Sequence, residues 1–189
     1  MFTLSTFTTG QLKIELGLAE EKFAPALFNI LKQDASLLIP WLPWVADMQS
    51  VDQEVAFIQQ SRLQFAKNTA IVLAILVNDQ PAGMIDLHKI DLVQKNAEVG
   101  YWLGSQYQGQ GIMTQALQQV SQYALTDLGL HKLLLLADVD NHPSIQVAQK
   151  SGYTLEATLK EQVRNHQGQY RNMRVFTLFN HNSSHLKEK

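Results

Sequence analysis

Apolar and polar positions alternate from Leu12 to Leu16: Leu12, Ile14 and Leu16 stand against Lys13 and Glu15, the period-two pattern of a strand. From Glu20 to Lys32 the period lengthens. Phe23, Ala26 or Leu27, Ile30 and Leu31 recur at helical spacing, with acids in the first turn where the dipole favours them and Pro25 early enough to be tolerated. Leu38 to Val45 holds two prolines and two tryptophans and predicts an apolar loop. Ser50 to Lys67 predicts a second helix with Val51, Val55, Ile58 and Phe65 as apolar positions and Ser50 or Asp52 as its cap.

The period then changes. Thr69 to Val77 and Ala82 to Ile90 read as two strands joined by the turn residues Asn78-Asp79-Gln80-Pro81, and Asn96 to Gly104 as a third. After Gln106-Tyr107-Gln108-Gly109-Gln110-Gly111 comes an amphipathic helix to about Leu128, with Ile112, Ala116, Leu117, Val120 and Ala124 on its inner face. Lys132 to Ala137 is a continuous apolar strand, which predicts burial on both faces. A short helix follows Asp140-Asn141-His142-Pro143 and ends at Ser151-Gly152, with Asn141 as N-cap. Strands near Tyr153 to Leu159 and Arg171 to Phe179 close the order, and residues 181–189 form a polar tail. The order is strand, two helices, three strands, helix, strand, helix, two strands, which implies a mixed α/β sheet covered by helices.

Composition narrows the function. The 189 residues fit one domain, placed at residues 1–180 before the tail. With 46% hydrophobic residues and a formal charge of −2, the chain is neither disordered nor basic enough for nucleic acid to be its expected partner. The absence of cysteine excludes disulfides, thiolate zinc sites and a cysteine nucleophile. The longest apolar run, Ala70 to Val77, is too short to span a bilayer, and the N-terminus lacks a signal-peptide pattern. A cytoplasmic protein without membrane partners is expected. The six histidines show no ligand grouping beyond His181 and His185 in the tail, so no metal is expected.

Three constellations carry chemistry. Gln106 to Gly111 follows a strand and opens a helix; it is either a two-glycine turn without a ligand or a place where free N–H groups and the helix dipole hold an anion. It is not a dinucleotide fingerprint, because Thr114 stands where the third glycine belongs, and not a P-loop, because Ile112-Met113 follows Gly111. Asn141 and Ser144 sit on the next strand-to-helix junction. Asn141 serves there either as a cap alone or together with Ser144 in the same cleft as the glycine turn. Glu98 lies between apolar Ala97 and Val99, and a carboxylate so placed is either paired, for instance with a lysine, or used.

Taken together, Ala97-Glu98-Val99-Gly100-Tyr101-Trp102-Leu103, Gln106-x-x-Gly109-x-Gly111, Asn141-x-x-Ser144 and Gly152-Tyr153 resemble the GNAT acyl-CoA N-acyltransferases. They are most similar to the RimJ/RimL-type branch, which acetylates N-terminal amines of ribosomal proteins. The resemblance covers about residues 10 to 180 and includes Pro40-Trp41-Leu42-Pro43-Trp44. It implies the GNAT fold: a central, twisted, mostly antiparallel sheet with a V-shaped splay between two central strands, flanked by helices. It also implies acetyl-CoA as co-substrate. The backbone of Trp102 and Leu103 would pair with the pantetheine arm, and the N–H groups from Gln108 through Gly109, Gln110 and Gly111 to Ile112 would hold the pyrophosphate. Gln106 stands where many members carry arginine, and Lys150 is a candidate for a CoA phosphate.

For the chemistry, the resemblance implies direct attack by an amine in a ternary complex. Glu98 is the expected base, alone or through a water. The Leu103 N–H would serve the developing oxyanion, and Ser144, positioned by Asn141, would protonate the departing thiolate. Two positions depart from the family pattern. Ala148 replaces a tyrosine acid, and Val163 replaces a glutamate, with Glu161 two residues earlier and expected on the same face. Trp41 and Trp44 are candidates for the acceptor's wall, although core is the commoner fate of such side chains. The expected acceptor is a protein N-terminus. The alternatives are a small amine (polyamine, amino sugar or amino acid) and a non-catalytic acyl-CoA-binding module. A homodimer is a candidate assembly, through the tryptophan loop or the last strand.

Overall fold

A computed structural model describes residues 2–180; the tail 181–189, with His181 and His185, lies outside the described residues. The strands are β1 (Thr3–Thr9), β2 (Leu12–Leu18), β3 (Ile71–Val77), β4 (Gln80–Asp91), β5 (Asn96–Leu103), β6 (Lys132–Asp138), β7 (Thr154–Arg164) and β8 (Tyr170–Phe179). The helices are α1 (Ala24–Gln33), α2 (Ala35–Leu38), α3 (Val51–Ala66), α4 (Ile112–Thr126) and α5 (His142–Lys150). All eight strands form one sheet in the order β1-β2-β3-β4-β5-β6-β8-β7. Every ladder is antiparallel except β5 with β6, which α4 connects.

β3 shows how the sheet makes two cores. All its residues are buried. Ile71, Leu73, Ile75 and Val77 pack with Ile112, Ala116, Leu117 and Val120 of α4 and Ile145 and Ala148 of α5. Val72, Ala74 and Leu76 pack on the opposite face with Leu27, Ile30 and Leu31 of α1 and Ile58 of α3. Period two on the strand thus places alternate residues in different cores. In β5 the same alternation sends Ala97, Val99 and Leu103 to the α4 side and Trp102 to the α1 side.

The turn between β3 and β4 is built from Asn78 and Asp79, both left-handed (φ 48° and 66°), as a tight hairpin with right-twisted strands demands. Ser50 caps α3 in a reciprocal capping box with Gln53.

Several elements differ from the sequence reading. β1 is an added strand. Its apolar residues, Leu4 and Phe7, stand three apart and break alternation, and the irregular register between Thr3 and Ser5 lets both pack on one core. β6 is buried on one face only, since Leu134 and Leu136 are half-buried. The apolar loop contains α2 and a 3-10 turn, Pro43–Ala46. Trp41 and Trp44 are not core: they remain 37% and 42% exposed. The last strand, β8, lies inside the sheet between β6 and β7, so the free edge on that side belongs to β7.

Candidate active site

Among the described residues one strand pair is parallel, and the sheet opens there. β5 and β6 are in register from Asn96↔Lys132 to Val99↔Leu135 and no further. Beyond that point β5 pairs only with β4, through Gly83↔Leu103, and β6 only with β8, through Asp138↔Met173. A cleft of about 530 Å³ fills the opening, bordered by Gly100 to Leu103, Leu136 to Asp138, the glycine turn and α5.

Backbone direction in the opening follows from the ladder. The Gly104 N–H donates to Ala82 O at 2.8 Å, in register with Gly83↔Leu103. Because antiparallel hydrogen bonds alternate, Trp102 presents its backbone groups to Met84, while Tyr101 and Leu103 present theirs to the cleft. This corrects the expectation for Trp102, whose N–H and C=O belong to the ladder. Tyr101 and Leu103 are the residues oriented to pair with an extended ligand. The Leu103 carbonyl accepts from Gln108 Nε2 at 2.9 Å.

The glycine turn closes one end. Gly109 and Gly111 are left-handed (φ 73° and 78°), a conformation in which a Cβ is strained. Gly111 is the N-cap of α4 and provides no side-chain cap, so the first-turn N–H groups of α4 are open to an anion. Gln108, Gly109, Gly111 and Ile112 line the cleft together with Met113 and Thr114. Gln106 and Gln110 do not line it. Instead Gln110 Nε2 donates to Gln106 O at 2.9 Å and braces the turn. Lys150 lines the cleft from α5.

The opposite wall carries Asn141 and Ser144. The Ser144 N–H donates to Asn141 Oδ1 at 3.2 Å, so Asn141 both caps α5 and faces the cleft. Ser144 Oγ stands 2.9 Å from the Tyr101 hydroxyl, which is also 3.3 Å from the Ser144 carbonyl. Burial pushes the Tyr101 phenol up to about 12, so it stays protonated at neutral pH. Behind this wall Arg171 donates from Nε to Asp138 Oδ2 at 2.8 Å and from Nη2 to Asp138 Oδ1 at 2.9 Å, and it reaches Asp140 as well. These bonds hold the segment that leads into Asn141 and keep the Asp138 carboxyl below its ordinary range.

Glu98 is elsewhere. It lies on the α1 face of β5 and does not line the cleft. Its carboxylate accepts from Lys89 Nζ at 2.9 and 3.0 Å and stands 3.4 Å from His88 Nε2. His88 Nδ1 is 2.5 Å from Asp86 Oδ1. The Asp86 bond raises the imidazole's pKa, and burial raises the Asp86 carboxyl against the opposing pull of His88. Glu161 is also away from the cleft. It is exposed and left-handed (φ 51°), at the irregular stretch between Leu159 and Val163, so strict alternation does not carry through it. Trp41 lines the cleft, whereas Trp44 lines a second, smaller cavity beside Trp102. Sequence reasoning missed Asp86, His88 and Glu54 around that cavity. Glu54 had a usable signal: it stands four and seven residues before Ile58 and Ser61, on the same buried stripe of α3. Among the described residues there is no cluster arranged to hold a metal and no helix long and apolar enough to cross a membrane.

Comparison with known proteins agrees with this geometry. Residues 14–154 match the acetyltransferase (GNAT) domain family. The chain is 30% identical over 148 residues to the ribosomal-protein-serine acetyltransferase of Escherichia coli K12, covering 78% of this chain and 83% of that one. It superposes with a TM-score of 0.86 on RimL, a ribosomal L7/L12 alpha-N-protein acetyltransferase solved with coenzyme A; identity is 26%, and coverage is 93% of this chain and 98% of that one. The microcin C7 self-immunity acetyltransferase MccE, solved with acetyl-CoA and AMP, superposes with a TM-score of 0.83 at 29% identity, covering 88% and 92%.

Proposed function

We propose that this chain, which belongs to the GNAT acetyltransferase family, transfers the acetyl group of acetyl-CoA to the N-terminal α-amine of a protein by direct attack. One observation carries the reading: the β5/β6 ladder stops at Val99↔Leu135, and the opening runs to the uncapped N-terminus of α4. An extended arm with a pyrophosphate fits these two features together. The strand edge offers backbone groups, and the helix start offers N–H groups and its dipole. Acetyl-CoA supplies an activated thioester when bound there.

The chain's own groups divide the remaining work. Tyr101 and Leu103 pair with the arm. The Leu103 N–H donates to the oxygen that gains charge. Gln108, Gly109, Gly111 and Ile112 surround the phosphates, with Gln106 and Gln110 shaping the turn and Lys150 adding a positive charge. Ser144 Oγ, hydrogen-bonded to the Tyr101 hydroxyl that stays protonated beside it, donates a hydrogen bond to the departing sulfur. Glu98 acts at a distance. With Lys89 it fixes His88, and His88 fixes Asp86. The protein acceptor is supported by the named activities of the E. coli relative and of RimL.

The test is turnover of acetyl-CoA against unblocked peptides and small amines, with product masses read by mass spectrometry. Acetylation of peptide α-amines, abolished by blocking the N-terminus, is the expected result. Acetylation of small amines alone would overturn the acceptor assignment. Binding without transfer to any acceptor would leave a narrow acceptor outside the panel or the non-catalytic module. Ser144→Ala should lower kcat by about 100-fold while leaving acetyl-CoA affinity unchanged; an unchanged kcat would remove Ser144 from the mechanism.

A further inference from the structure

We infer that the small cavity on the α1 face of β5, between α3 and Trp102, binds the acceptor's primary ammonium group, with Glu54 as its counter-ion. This inference rests on the proposed transfer to an amine and deepens it. The cavity holds about 150 Å³, with aromatic walls from Trp44, Phe57 and Trp102. Its polar lining is acidic: Glu54 and Asp86, with no basic side chain. Asp86 already bonds His88, but Glu54 has no such partner. It is 1% exposed, and its Oε1 is buried without a hydrogen bond among the described residues.

A carboxyl so placed is among the costliest groups a core can hold, and a native protein retains one where something else completes it. A cation with N–H donors is the completing group that this lining fits. It offers the missing hydrogen bond and charge, and the indole and phenyl rings favour a cation over a neutral amine. The volume admits a primary ammonium on a short stem and little more.

Position ties the cavity to the reaction. Trp102 lines both this cavity and the acetyl-CoA cleft. Asp86 packs on Gly100, where an added Cβ would lie 2.9 Å from its Oδ2, and Gly100 borders the cleft too. The cavity therefore abuts the place where the strands part. An ammonium cannot attack a thioester until it loses a proton. In the step inferred here an N–H bond breaks, the proton goes to Glu54, and the electron pair stays on nitrogen for attack. Burial raises the Glu54 carboxyl to about 7, close to the value of about 8 for a free α-amine, so the transfer is nearly balanced.

The experiment compares Glu54→Gln with the unchanged protein. Glu54→Gln keeps the shape and removes both the charge and the proton acceptor. The expected result is a fall in kcat/KM for the acceptor of at least 100-fold, an unchanged acetyl-CoA Kd by calorimetry, and inhibition by methylammonium of the unchanged protein but not of Glu54→Gln. Retained kcat/KM and retained methylammonium inhibition would overturn the inference. Should Glu54→Gln fail to fold, Trp44→Ala decides, because Trp44 lies at the surface. A raised acceptor KM at constant acetyl-CoA Kd supports the cavity, and an unchanged KM refutes it. If peptides prove not to be acceptors but a small amine is, the protein-acceptor reading falls and the same comparison on that amine still judges the cavity.

Discussion

Gly100 and Glu54 are the residues whose surroundings bear on the acidic cavity. At Gly100 any side chain would meet the Asp86 carboxylate, which His88 holds in place. Gly100→Ala should therefore nudge Asp86 aside and lower kcat/KM by less than the roughly 100-fold that a 1 Å misplacement beside the reacting atoms costs; steady-state kinetics checks this. Glu54 allows a stability prediction. Its carboxyl is raised from 4.5 to about 7 by burial, so the folded state holds a proton that the unfolded state releases between those values. Stability is then fully present below the unfolded value and declines as pH rises through about 7. Glu54→Gln removes that decline. Thermal melting should show the variant equal to the unchanged protein near pH 4 and more stable at pH 8, by at most about 3 kcal/mol. A gain independent of pH would contradict the assignment. The groups sharing this region, Asp86, His88 and Glu98, are intact in both proteins. At this scale Asn141 was legible, since a cap followed by proline has a local signature, and the structure adds that the capped turn also faces the cleft.

At the scale of elements, function depends on where elements end. α4 begins at a left-handed glycine and leaves its first N–H groups uncapped. Gly111→Ala forces Cβ into the left-handed region. It should cost about 1 kcal/mol of stability and weaken acetyl-CoA binding together, whereas an equivalent strain at the remote Gly129 (φ 64°) should lower stability alone. Melting and calorimetry on the two variants separate these effects. β5 ends its pairing with β6 halfway along its length, and no residue type in Gly100 to Leu103 announces that. The sequence placed both strands correctly because their apolar runs are strong. It could not place β1, whose threonines and a register irregularity hide the period, nor follow β7 past Leu159, where irregular pairing and a left-handed Glu161 break alternation.

Over the whole molecule, the sheet divides the labour between its faces. The α4 and α5 side offers the helix start and Ser144, and the α1 and α3 side offers the acidic cavity, with Trp102 lining both the cleft and that cavity. Acetyl-CoA should bind only the folded chain and so stabilise it by about 2.7 kcal/mol at a hundredfold excess over Kd. For a chain of this size that is a rise in Tm of about 5–10 °C, readable by differential scanning calorimetry, and Gly111→Ala should reduce it. The sequence by itself determined the order of elements, the hairpin, the glycine turn and the family resemblance, because each is written in local spacing and backbone preference. The tertiary structure alone decided which carboxylates are in use. The sequence leaves Glu98 either paired or used, and folding sets it against Lys89 and His88. The spacing of Glu54 to Ile58 and Ser61 hints at its burial, yet only folding leaves it unpaired beside Trp102. Pairing is a property of neighbours distant in the chain, and local spacing carries no record of it.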